Sequence, residues 1–537
     1  MAEENHKQVS VAEFFEKNRH LLGFNNPSKA LLTSVKEAVD NSLDACEDAN
    51  ILPDIEVKIQ ELKKGKYRMI VEDNGPGLNE KVLQKAFGSL LFGSKFRSIG
   101  GKQGRGQQGI GISAVILYGQ LTTGKPAKIT SRTLKDKEAR EYTMHINVKT
   151  NEPDVIASEV KTWKREHGTR VEVEMEGKYV GTKQSPYEFI KQTAVVNPHA
   201  SIIYTDPEGK KHKFPRVVDK LPRKAKELKP HPSGVEFGLF KRMSKDTKAR
   251  NVKSFLTKDF DKVGGGTAKT ILGTAKVDGQ TMPKLLSDDQ LHEIHEAIKT
   301  TKIMNPSTDC LSPIGADALA KSLESEYELD FVKAVSRNPT VYRGFPFQVE
   351  VAIGYGGELD TEGSARINRF SNKVPLLYEE GSCALTKGVK SVTWKSYGLH
   401  NSSGSMPTGP AVIVIHIAST WVPFTSESKA AVSNYPAISK EIKLAIQEAG
   451  RALHLYVRKQ RKAGLEEEKR QKFIGYSGEV AGAVAKLISK DSYKLKKEDL
   501  EKSVSKIQKS LLKTAENMYD GGKSLEESNE GEENEQK

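Results

Sequence analysis

Four short stretches of this chain carry residue types suited to gripping a phosphate and a flat ring. Glu37, Asn41 and Asp44 stand at i, i+4 and i+7, so a helix puts them on one face. On most helices such a face is only solvated. Asp73-Asn74-Gly75-Pro76-Gly77 follows the strand-like run Tyr67–Val71. Asn-Gly commonly marks a hairpin, but a helical pattern follows here rather than a second strand. An acid at a strand end with two glycines behind it lets a flat ring approach the backbone. Gly104-Arg105-Gly106-Gln107-Gln108-Gly109-Ile110-Gly111 enters a helical pattern at Ile112, and backbone N–H groups of such a loop cradle anions. It lacks the Gly-Lys-Ser/Thr of a P-loop and follows no strand, so neither standard phosphate fingerprint applies. Gly168-Thr169 opens a strand and offers a hydroxyl near the ring.

These residues need scaffolding, and the pattern around them predicts it. Asn26-Pro27 is a helix start, with Leu31, Leu32, Val35, Val39 and Leu43 as its buried face. Pro53 marks its end. Ile55, Val57 and Ile59 alternate as a strand, Tyr67–Val71 forms the next, and Asn79–Phe87 and Ile112–Leu121 read as helices. Later strands are expected at Glu141–Val148, Thr169–Met175 and Ser201–Thr205. A lysine- and proline-rich stretch, Lys210–Lys229, leads to a boundary near residue 230, where Pro230 and Pro232 fall close together. Residues 235–306 read as small helices around Val263-Gly264-Gly265-Gly266-Thr267. Strands return at Phe347–Ile353, Ser364–Phe370 and Ala411–Ala418, and a long helix spans Ala437–Lys462.

Composition narrows the class. The 537 residues are 36% hydrophobic and 29% charged, which excludes wholly disordered, collagenous and coiled-coil chains. Cys46, Cys310 and Cys383 are isolated, so no disulfide framework or thiolate zinc site is expected. The longest apolar run, Ala411–Ile417, is far below the ~20 residues of a spanning helix, and Met1–Lys17 lacks a signal-peptide core. A cytoplasmic protein with no membrane partner is expected. Net charge is +14, although Glu526–Lys537 carries six Glu and one Lys, which leaves +19 on the rest. A basic body favours polyanions such as DNA, or is simply a solvated surface.

Taken in order, Glu37/Asn41, Asp73/Gly75/Gly77, Gly106/Gly109/Gly111 and Gly168/Thr169 resemble the ATPase superfamily of gyrase, the ninety-kilodalton chaperones, histidine kinases and MutL. From about residue 10 to 465 the chain resembles the B subunits of type IIB topoisomerases (the topoisomerase VI family). The resemblance rests on Ala-Glu-Phe-Phe at 12–15, Asn-Ser-Leu-Asp-Ala at 41–45, Ser94-Lys95, Leu-Tyr-Gly-Gln at 117–120, Lys-Pro-His-Pro at 229–232 and Ser-Asn-Lys-Val-Pro-Leu at 371–376. It implies an α+β multidomain fold. An α/β-sandwich ATPase domain (1–228) is followed by a small helix–two-turns–helix domain (229–306) with Gly264–Thr267 in its turn. An α+β transducer with a long C-terminal helix (307–470) and a charged helical extension with an acidic disordered tail (471–537) complete it.

The resemblance also implies roles. Glu37 polarises the attacking water, Asn41 holds Mg²⁺, and Asp73, with Gly75, Gly77 and Thr169 around it, receives the adenine amine. Ser94, Lys95, Gly106, Gln107, Gln108, Gly109, Ile110, Gly111, Ile112 and Ser113 form a lid over the phosphates of ATP. Some relatives place a lysine where Ser113 stands, which leaves that contact open. Lys429 reaches the γ-phosphate from the transducer. ATP-driven dimerisation, with Val9–Phe15 crossing between protomers, clamps double-stranded DNA. A topoisomerase VI-type A subunit cleaves it in an A2B2 heterotetramer on the nucleoid, relaxing and decatenating DNA. A chaperone- or MutL-like ATPase and a non-catalytic DNA scaffold are the alternatives. The basic body makes one prediction. DNA affinity, measured by fluorescence anisotropy, should fall steeply between low and moderate salt as counterions are released. A flat profile would remove DNA as the partner of this charge.

Overall fold

The computed structural model describes residues 9–93, 101–106, 109–402, 404–426, 429–490, 498–499 and 501–513. The chain divides into two compact units, Met1–Leu453 and His454–Lys537.

The first unit begins with α1 (Val11–Lys17) and α2 (Pro27–Asp48). Asn26 caps α2 by accepting the Lys29 N–H at 2.8 Å, and Pro27 occupies the first turn, where its missing N–H costs nothing. Leu31, Leu32, Val35, Val39 and Leu43 are buried, the face the periodicity predicts. Ala12 of α1 is buried in the same core.

The strands are β1 (Asp54–Lys63), β2 (Lys66–Glu72), β3 (Ala127–Arg132), β4 (Ala139–Asn147), β5 (Glu152–Lys161), β6 (Gly168–Glu176), β7 (Ser201–Thr205) and β8 (Lys211–Phe214). They form one sheet in the order β5-β4-β3-β6-β2-β1-β7-β8. Only the β1–β7 pair is parallel. Along β1, Ile55, Val57 and Ile59 are buried while Glu56 and Lys58 are exposed, as in an antiparallel sheet with one solvated face. Arg68 on that face bridges Glu172 and Glu174 of β6 at 3.3 and 2.6 Å. Helices α3 (Glu80–Gly88), α4 (Gly111–Thr123) and α5 (Pro186–Val196) join α2 over the other face.

The basic stretch starts as β8 and continues as coil. Beyond it, α6 (Phe237–Asp246), α7 (Val252–Asp259), α8 (Gly265–Thr274) and α9 (Asp288–Thr300) enclose a core of Phe240, Phe255, Phe260, Ile271 and Ile294. Here one expectation needs correction. Only Gly264 stands outside a helix, as the cap of α8, and Gly265, Gly266 and Thr267 form its first turn. Glycine is tolerated there because first-turn N–H groups have no intrahelical partner, and burial of Ala268, Ile271 and Leu272 holds the helix.

Next come α10 (Ala316–Glu326), β9 (Phe331–Ser336), β10 (Thr340–Tyr342), β11 (Phe345–Tyr355), β12 (Arg366–Ser371), β13 (Val374–Pro375), α11 (Ala384–Lys390), β14 (Ala411–Ser419) and α12 (Pro436–Lys490). Their sheet runs β10-β11-β14-β12-β13, with β9 also on β11. β14 is buried at every position, antiparallel to β11 and parallel to β12. Ile438, Ile442, Ile446, Ala449 and Leu453 of α12 are buried at helical spacing. The helix continues past the predicted Lys462 to Lys490. Its extension belongs to the second unit, is exposed over most of its length, and carries pairs such as Glu468–Lys472 at 2.7 Å. Apolar periodicity therefore could not signal it. Residues 501–513 are helical, and the Gln508 side chain comes close to Gly478. The acidic tail lies outside the described residues. Among the described residues no helix is long and apolar enough to cross a membrane.

Candidate nucleotide site

A cavity of about 820 Å³ opens between α2, the glycine-rich segment before α4, and a transducer edge formed by Pro375–Tyr378 and Lys429. Glu37 and Asn41 stand on its wall, as do Gly106, Gly109, Ile110, Gly111 and Ile112. Gly109 takes φ +63° and turns the chain into α4. Among the described residues no side chain caps α4, so its first-turn N–H groups can receive an anion, and the helix dipole adds positive character there. A Cβ built on Gly111 would lie 2.0 Å from Oε2 of Glu37. The carboxylate of α2 and the N-terminus of α4 are thus in contact, which only glycine permits.

The remaining sequence-predicted residues divide. Asp73, Gly75, Gly77 and Thr169 stay off the wall. The Asp73 carboxylate is buried and accepts hydrogen bonds from Ser42 Oγ (2.8 Å), Gly75 N (2.8 Å) and Thr169 N (3.1 Å). Burial nonetheless pushes its proton affinity above the ordinary value. Three donors leave about one of a carboxylate's four acceptor directions open. Thr169 contributes its backbone, through this bond and through Asp73 N→Thr169 O at 2.9 Å. Gly77 takes φ +68°, and a Cβ there would meet Arg132 O at 2.1 Å. Ser113 is buried and its Oγ donates to Ile110 O at 2.9 Å, so its hydroxyl turns back into its own helix. Ser94, Lys95, Gln107 and Gln108 lie outside the described residues.

Lys429 does reach the site. Its ammonium donates to the carbonyl of Arg105 at 3.5 Å, across 324 positions of sequence. Sequence reasoning missed other members. Lys29 and Lys36 line the cavity; their seven-residue spacing put them on one face of α2 and was the available signal. Asp40 is buried beside them, with one carboxylate oxygen unpartnered among the described residues, and burial pushes it up to about 7. Arg105 anchors the glycine segment. Its guanidinium is buried against Asp44 (2.7 Å), Glu47 (2.5 Å) and the Asn197 side chain. Asp44, on the same face as Glu37 and Asn41, serves this anchor. Glu47 also accepts from His199 Nε2 at 2.9 Å and Lys373 Nζ at 3.4 Å. Burial alone would raise the Glu47 carboxyl, but Arg105, Lys373 and His199 hold it well below its ordinary range. No group of three or more His, Cys, Asp or Glu side chains able to cage a metal ion occurs among the described residues.

A sheet with helices on one face, a carboxylate set against an uncapped helix N-terminus, and a lysine from a second domain define a nucleotide-driven ATPase class. Residues 26–178 match the histidine kinase-, DNA gyrase B- and HSP90-like ATPases, and residues 306–470 match the topoisomerase VI B subunit transducer. The B subunit of type 2 DNA topoisomerase 6 from Archaeoglobus fulgidus is 47% identical over 498 residues, 92% of this chain and 81% of that protein. Its counterpart in Methanococcoides burtonii is 49% identical over 453 residues, 84% and 72% of the two chains. That of Methanosarcina mazei is 45% identical over 509 residues, 94% and 80%. The chain belongs to the family of type 2 DNA topoisomerase 6 B subunits. Its function is that of the ATP-binding, ATP-driven subunit of a type IIB topoisomerase. The transducer match sets aside the chaperone-like and MutL-like alternatives.

Two predictions follow from this geometry. Gly111→Ala drives a methyl group into the Glu37 carboxylate and should abolish ATP hydrolysis, read as phosphate release, while the circular dichroism spectrum stays unchanged; normal turnover would contradict the contact. Glu47→Gln should cost about 3 kcal/mol at pH 7 by urea unfolding, because two buried cations lose their shared carboxylate. A carboxyl depressed by folding stabilises above its ordinary value near 4.5 and loses that contribution as pH falls below it. The gap between wild type and variant should therefore shrink below pH 4.5. A gap that stays constant there would mean Glu47 is not depressed.

Proposed function

We propose that Glu37 is the general base of ATP hydrolysis and that the N-terminus of α4 binds the terminal phosphate. The observation that carries this is the contact between Glu37 and Gly111. A water beside the Glu37 carboxylate loses a proton to it as its oxygen attacks the γ-phosphorus and the bridging oxygen leaves with ADP. Asn41, exposed on the same wall one turn along, fits a Mg²⁺ ion that takes its other oxygens from phosphate and water. That ion, when bound, neutralises phosphate charge. Asp73 keeps one acceptor direction for the adenine amine. Lys429 supplies a compact cation to the γ-phosphate and senses its departure from the transducer side.

On this reading ATP binding joins two B subunits into a clamp around double-stranded DNA, and hydrolysis reopens it. The partner is a DNA-cleaving A subunit, with an A2B2 assembly acting on the nucleoid in the cytoplasm. Support comes from the family and from the shared wall between nucleotide domain and transducer. The test is sedimentation together with turnover. Wild type should sediment as a monomer alone and as a dimer with a non-hydrolysable ATP analogue. Glu37→Gln should dimerise with ATP itself and lose about 10²–10⁴-fold in hydrolysis. Lys429→Ala should bind the analogue yet hydrolyse slowly. Hydrolysis near wild type in Glu37→Gln would sink the assignment, and one unchanged species throughout would sink the clamp.

A further inference from the structure

Ser371–Leu376 marked the chain's family by sequence, yet nothing in the nucleotide chemistry above uses its centre. β12 and β13 are joined there by the two-residue turn Asn372-Lys373, with Ser371 paired to Val374. Both turn residues have positive φ, +48° and +64°. Asparagine suits such a turn, but at the second position glycine would fit without strain. Lysine is strained there, so its side chain is the place to look for a reason.

That side chain reaches across the domain boundary to α2. Its ammonium donates to Ser312 Oγ at 3.0 Å and to Glu47 Oε2 at 3.4 Å, and only 4% of the side chain is exposed. Glu47 is the carboxylate that also holds Arg105, the first anchor of the glycine segment. Asn372 Nδ2 donates to Gly104 O at 3.3 Å, one residue earlier in that segment. On its own side the turn is fastened to the transducer sheet. The Lys373 N–H donates to His416 Nε2 at 2.9 Å, so the ring proton is on Nδ1 and donates to Glu350 at 2.8 Å. Glu350 is fully buried and also accepts from Ile314 N, Gly315 N and Ser336 Oγ.

Burial works against the Lys373 cation and lowers its proton affinity, although Glu47 opposes this. A buried ion pair is weak evidence for stability, and its best-attested use is to fix register. The register here is that of the glycine segment relative to the transducer.

We infer that Lys373 is a positioning residue for the phosphate loop. Through Glu47 it holds Arg105, and so Gly104–Gly106, in the arrangement that receives ATP. The inference rests on the reading of that segment as the phosphate loop.

The experiment uses the full chain and three variants, Lys373→Met, Lys373→Arg and Lys373→Gln. Calorimetry with a non-hydrolysable ATP analogue and steady-state hydrolysis are the two readouts. Lys373→Met should weaken analogue binding and raise KM by about tenfold, with kcat at saturating ATP within about twofold, because the base Glu37 is untouched. Lys373→Arg keeps the charge and should restore the affinity. Lys373→Gln keeps a donor without the charge; it should fall between them, and it carries the comparison if the methionine variant does not fold. Hydrogen exchange of the amides in 101–111 should quicken in the variants that bind weakly. Unchanged affinity in both Lys373→Met and Lys373→Gln overturns the inference, as does an arginine variant as defective as methionine. If wild type itself fails to bind the analogue, or Gly111→Ala hydrolyses normally, the phosphate-loop reading has failed instead.

Discussion

The site depends on one buried guanidinium. Gly104, Gly106, Gly109 and Gly111 make the segment before α4 able to approach a phosphate, and the same residues make it costly to order, at roughly 1–2 kcal/mol per residue. Arg105 is the long side chain among those glycines that ties the segment down. It does so by crossing to Asp44 and Glu47 near the C-terminal end of α2. Seven residues of helix put Glu37 and Asp44 on one face but about 10 Å apart along the axis. Two jobs therefore share one stripe. The upper end meets the N-terminus of α4, and the lower end holds the loop that leads into it. A shared face was readable from spacing, but its division into chemistry and anchorage required the arginine's position.

That limit separates what the sequence disclosed from what it hid. α2 was legible because its cap, its proline and its apolar period agree, and β1 because it alternates cleanly. β5 was not, since it is an edge strand with most residues exposed and so carries no alternating signal. α5 carries the start signature of a helix, with Ser185 as its cap and Pro186 in its first turn, although no expectation above includes it. The resemblance located the Glu37–Gly111 constellation, and the structure supplied the reason Gly111 cannot be larger. Spacing could not show that Asp73 is held by three donors or that the Thr169 backbone pairs with it at both N–H and C=O. The Lys373–Glu47 pair, separated by 326 positions, has no local signature at all.

The charge on the cavity wall bears on how the proposed site would hold one nucleotide. Among the described residues the wall carries Lys29, Lys36 and Lys429 against Glu37, Asp44, Asp48 and Glu227. Asp44 is paired with Arg105 and Asp48 with Lys102, so within the helix–sheet domain Lys29 and Lys36 face Glu37 and Glu227 and cancel before any ligand arrives. Arg105 adds nothing to this balance, because its guanidinium is turned to its own carboxylates, and Lys373 is likewise committed to Glu47. An uncapped helix N-terminus adds only about half a unit charge. A nucleoside triphosphate brings several negative charges into this space, so its binding requires cations from outside the helix–sheet domain. Within the reading proposed above, a divalent ion on Asn41 supplies two charges and Lys429 of the transducer supplies a third. On that reading Lys429 loses its anionic partner when the terminal phosphate departs. The transducer then loses a charge pair at the cavity wall while Lys373 keeps its grip on the loop's base. Release at one contact and retention at the other is the asymmetry a clamp needs if hydrolysis is to move the transducer without dismantling the site.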